Sequence, residues 1–108
     1  MRIKLNIGLE NNPLTTTDIT QILWLNGFYY IKSRIHTGTY LGNPERTLVI
    51  ESNYLRNEDQ LIRVIKALCL MLTQECIAVT VNGIGSLVYD PTFIGETIEF
   101  NKDYFINY

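Results

Sequence analysis

Hydrophobic periodicity changes register twice along this chain, and that alternation limits its folds more than any other feature. Residues 2–9 alternate strictly: Ile3, Leu5, Ile7 and Leu9 face one way, Arg2, Lys4, Asn6 and Gly8 the other. Period two marks a strand with one buried face. Asn11-Asn12-Pro13 breaks it, and a helical pattern follows. Thr15 and Asp18 have capping-box spacing, with Leu14 and Ile19 placed as a hydrophobic staple. Ile19, Ile22 and Leu23 form the apolar stripe, and Asn26-Gly27 stops the helix. Trp24 falls off that stripe.

Period two returns over residues 28–40, rich in aromatic and β-branched side chains. The simple alternation places Tyr29, Ile31, Ser33 and Ile35 on one face. Phe28, Tyr30, Lys32, Arg34 and His36 share the other. Leu41-Gly42-Asn43-Pro44 reads as a turn, and residues 46–52 as the returning strand of a hairpin. Thr37-Gly38-Thr39 reads as a bulge in the long strand.

A second helix starts at the Asn57 cap, where Glu58 and Asp59 complement the positive end of its dipole. Leu61, Ile65, Leu68 and Leu72 lie on one line, flanked by Ile62, Val64, Cys69 and Met71. This arc spans about half the wheel, wider than the ~100° stripe of an ordinary surface helix. Leu70 lies outside it. Ile77, Val79 and Val81 alternate again, and Asn82-Gly83-Ile84-Gly85 turns the chain into a short partner at 86–89. Residues 97–100 and 104–108 read as further β segments.

The order β-α-β-β-α-β predicts a single α+β domain over residues 1–108. Its core covers about 1–90 and a C-terminal β appendage about 91–108. The layout expected is the ferredoxin-like split βαβ sandwich: a four-stranded antiparallel sheet with two helices on one face. Another two-layer α+β sandwich is the alternative.

Composition narrows the function. The chain has 108 residues, nine Lys/Arg and eleven Asp/Glu, a formal net charge of −2, and 46% hydrophobic residues. These values argue against disorder and against a generic polyanion binder. The longest apolar run, residues 67–72, is far short of a membrane span, which takes ~20 residues. No secretory leader is visible, and two cysteines form neither a disulfide framework nor a zinc site. A cytoplasmic protein without metal, cofactor or membrane partner is expected.

No catalytic residue set emerges. His36 has no nucleophile and no orienting carboxylate nearby in sequence. Gly83-Ile84-Gly85 has no third glycine and opens no helix, so a hairpin turn accounts for it. Cys69 and Cys76 occupy apolar positions, where cysteine acts as a small hydrophobe. Glu96 and Glu99 read as solvated charges.

Two surface patterns remain. Trp24, Leu70, Phe100, Tyr104, Phe105 and Tyr108 exceed what one core needs, and aromatic anchors are enriched at interfaces. They indicate a non-enzymatic interaction module that contacts another protein or its own copy, of the accessory or inhibitor type. The alternative uses the free face of the sheet. Arg2, Lys4, Lys32, Arg34, His36 and Arg46, with Tyr30 as a platform, provide cations and rings for single-stranded nucleic acid or another anion.

Overall fold

The computed structural model describes residues 1–10, 12–40, 42–95 and 97, with the backbone alone at 38–40. Seven elements follow in order: β1 (Arg2–Gly8), α1 (Thr16–Leu25), β2 (Phe28–Tyr40), β3 (Asn43–Tyr54), α2 (Glu58–Met71), β4 (Cys76–Val81) and β5 (Ile84–Tyr89). They form an α+β fold in which every strand pairing is antiparallel. Among the described residues the sheet has five strands, in the order β2-β3-β1-β4-β5. This departs from the four-stranded ferredoxin-like sheet expected. The cause is local: Asn82 (φ 50°) and Gly83 (φ 85°) make a two-residue turn with both residues left-handed. Such a turn matches strand twist and lays β5 directly along β4.

The period-two residues of β1 do what alternation requires. Ile3, Leu5 and Ile7 are at most 2% exposed and oppose Leu48, Ile50 and Ser52 of β3. Val79 and Ile77 of β4 join them. Ile19 and Leu23 of α1, and Leu61, Ile65, Leu68 and Cys69 of α2, enter the same core. Each fully buried aliphatic side chain contributes roughly 1.5–3 kcal/mol.

The helix ends follow the sequence signals. The Thr15 hydroxyl accepts from the Asp18 amide (3.1 Å), and the Asp18 carboxylate accepts from the Thr15 amide (3.1 Å). Asn57 Oδ1 accepts from the Gln60 amide at 2.9 Å. Asn26 closes α1, and Gly27 at φ 95° redirects the chain into β2.

β2 departs from simple alternation. Tyr29 opposes Asn53, but Lys32 opposes Glu51, so β2 carries one extra residue between them. Tyr30 takes it up at φ 53°. The Ser52 hydroxyl fills the gap, donating to the Tyr29 carbonyl at 2.8 Å. This bulge reverses the alternation on its N-terminal side. Phe28, expected on the free face, is therefore fully buried, its ring 4.9 Å from that of Tyr54. The bulge expected at Thr37–Thr39 does not form: β2 and β3 pair in unbroken register from Lys32 to Tyr40. The turn is also shorter than expected, because Asn43 already pairs with Tyr40.

Of the expected appendage, residues 96 and 98–108 lie outside the described residues. These include Phe100, Tyr104, Phe105 and Tyr108.

Candidate functional site

The strand register sorts the expected basic face. Lys32, Glu51, Lys4 and Thr80 lie in one row across β2, β3, β1 and β4, on the face away from the helices. Arg34, Val49, Asn6 and Ala78 form the next row, and Arg2 and His36 share the same side. Five of the six expected cationic or titratable groups are thus together. Arg46 is not among them. It lies two residues from the inward-facing Leu48, so it belongs to the opposite side of β3. There it meets Glu10, with Nε 2.9 Å from Oε1. The Arg46 guanidinium holds the Glu10 carboxyl below the usual carboxylate range.

The face is less available to phosphates than its cation count implies. Lys4 Nζ lies 3.4 Å from Glu51 Oε1. With Phe28 in the core, Tyr30 is the remaining ring of the expected set, and it is 85% exposed at the bulge. Across the centre of the face, Val49 and Ala78 are buried on either side of Asn6, which is itself buried.

The apolar surplus is more concentrated. Trp24 is 57% exposed at the C-terminal end of α1. Its ring meets Tyr29 edge-on, with centroids 6.3 Å apart. A groove of about 510 Å³ runs between α1 and β2, bounded by Thr17, Thr20, Gln21, Trp24, Ile31 and Ser33. Ile35 continues the line of Ile31 and Ser33 along β2 and is 57% exposed. Leu70, also half-exposed, lies on α2.

β2 is an outer strand of the sheet. Among the described residues no strand covers its outer edge. The edge thus has two differently furnished sides. Toward the helices stand Ile31, Ile35 and the Trp24 ring. Away from them stand Lys32, Arg34 and His36. Sequence reasoning found Trp24 and the cations separately. It missed that a single edge strand joins them, because that depends on α1 crossing beside β2.

Cys69 and Cys76 are free thiols. Cys69 is buried, and its Sγ lies 3.4 Å from the Val88 carbonyl. Burial pushes the thiol up to about 12, with the nearby Cys76 and Asp90 adding to the shift. A thiol held in this way is a poor nucleophile. Among the described residues, no group of three or more His, Cys, Asp or Glu is placed to hold a metal ion. No described helix is long and apolar enough to cross a membrane.

Comparison with protein-family models, curated proteins and solved structures finds no match to this chain.

Proposed function

We propose that this chain is a non-catalytic binding module that receives an extended segment of another protein along the outer edge of β2. The observation that carries the reading is the two-sided edge. A strand added there would bond to the β2 backbone and send alternate side chains to opposite sides. One set would meet Ile31, Ile35 and Trp24; the other would meet Lys32, Arg34 and His36. The partner segment should therefore alternate apolar with acidic residues. Charge also argues against a second copy in this position. Antiparallel self-pairing of β2 centred on Ser33 would set Lys32 against Arg34 of the copy, and like charges opposite each other are unfavourable.

We further read β1 to β4 with the two helices as a split βαβ unit of the ferredoxin-like kind, with β5 added outside β4. The central position of β1 and β3 supports this, as does the flanking of that pair by β2 and β4.

The test uses two peptides, one alternating Glu with Val and one alternating Lys with Val. The Glu peptide should change Trp24 fluorescence saturably, and more weakly as salt rises. Lys32→Glu/Arg34→Glu should lose that peptide and gain the Lys peptide. Absence of a saturable response to the Glu peptide, or a preference that survives charge reversal, overturns the reading. A doubled mass in light scattering that Lys32→Glu/Arg34→Glu abolishes would identify the occupant as a second copy instead.

A further inference from the structure

A cleft of about 770 Å³ opens at the end of the sandwich where α1 stops and α2 begins. Its volume falls in the range of small-molecule sites, roughly 300–1,000 Å³. Two stretches of sequence build it, residues 25–29 and 54–64. Leu25 ends α1, Gly27 links it to β2, Tyr29 is the second residue of β2, and Tyr54 ends β3. Arg56 precedes the cap of α2, and Arg63 stands on the helix itself.

The electrostatics of the cleft are one-sided. Arg56 and Arg63 both line it, and among the described residues no Asp or Glu does. Glu58 and Asp59 lie in the first turn of α2 but are not part of the wall. Among the described residues neither guanidinium has a hydrogen bond or an ion pair. Two unpaired guanidiniums in one concavity, within a chain of net charge −2, favour an anion.

The remaining wall calls for something other than a bare ion. Leu25, Leu55 and Val64 are apolar, and Tyr29 and Tyr54 contribute rings. Tyr54 is only 2% exposed, yet it reaches the cleft, and its hydroxyl bonds to no described residue. Gly27 runs close over that ring: a Cβ there would stand 3.4 Å from Tyr54 Cε1, at a φ of +95° that side chains rarely adopt.

We propose that this cleft binds a small anionic molecule whose phosphate is joined to a flat aromatic body, the head between Arg56 and Arg63 and the ring against Tyr29 and Leu55. The tyrosine hydroxyl of Tyr54 supplies a further donor to the ligand. This site is separate from the β2 edge, since neither Lys32 nor Arg34 lines it.

The probe is phenyl phosphate, titrated into the isotope-labelled chain while amide shifts are followed by NMR. Inorganic phosphate and benzyl alcohol supply the two halves of the ligand separately. Phenyl phosphate should move the Gly27 and Gln60 signals saturably, and each half alone should bind at least ~tenfold more weakly. Arg56→Ala and Arg63→Ala should each weaken phenyl phosphate by ~tenfold, as expected for loss of a charge-assisted hydrogen bond. Both residues are exposed, so neither change threatens the fold. Lys32→Glu/Arg34→Glu should bind the probe normally, which separates this outcome from the peptide result. No saturable shift, shifts that persist in both arginine variants, or equal affinity for inorganic phosphate would each overturn the proposal.

Discussion

Cys69 shows how burial sets the chemistry of one residue. In the unfolded chain its thiol loses a proton near the ordinary value of 9.0; in the fold it holds the proton to about 12. Below pH 9 both states are protonated and the difference contributes nothing. As pH rises from 9 toward 12, the unfolded state sheds a proton that the folded state keeps. Stability therefore falls with rising pH across that window. Cys69→Ala should flatten this alkaline decline in denaturant midpoints, while the slope below pH 8 stays as in the parent chain. An equally steep decline in the variant would mean that the thiol is not the titrating group. The same burial should protect Cys69 from alkylation until the chain unfolds. Glu45 is shifted in a related way: desolvation raises its carboxyl, and the Glu10 charge adds to it.

Elements were legible wherever a local rule fixes them. Thr15 and Asp18 mark the start of α1 because a capping box needs only four residues to close. The Asn82-Gly83 hairpin is legible for the same reason. The bulge at Tyr30 is not, since its cause lies across the sheet in Ser52, far away in sequence. One inserted residue reverses the facing of everything before it, so simple alternation puts Phe28 on the wrong side. The bulge makes a two-part prediction in denaturant unfolding. Ser52→Ala leaves the Tyr29 carbonyl without its hydroxyl donor and should cost about 1–3 kcal/mol. Tyr30→Gly removes a left-handed side chain, worth about 1–2 kcal/mol. It adds unfolded-chain freedom that takes back about 0.5–1 kcal/mol. It should therefore leave stability equal or slightly higher. A large loss in Tyr30→Gly, or none in Ser52→Ala, would show that the bulge is not held by this pair.

At the scale of the whole molecule, charge is distributed by the sheet. Residues 1–51 hold five Lys/Arg and four Asp/Glu; residues 52–108 hold four and seven. The near-neutral total thus conceals cations gathered at the β2 edge, while β5 has no charged residue at all. That division was partly legible from alternation. The Arg56–Arg63 cleft was not, because it joins residues that no periodicity relates. Nor was the character of the face away from the helices, whose middle row crosses the sheet from Arg34 through Val49, Asn6 and Ala78 to Leu87. Asn6 is 6% exposed in that row, and among the described residues its Oδ1 has no hydrogen-bond partner. A buried acceptor left unpaired costs about 1–3 kcal/mol, and an apolar side chain of similar shape removes that cost. Its neighbours Val49 and Ala78 are already apolar, so Leu at position 6 adds contact without stranding a polar group. Asn6→Leu should therefore raise the urea midpoint by an amount equivalent to about 1 kcal/mol, with the unfolding slope unchanged. A fall in the midpoint would mean that the Asn6 amide is held by a group that the fold supplies only in solution.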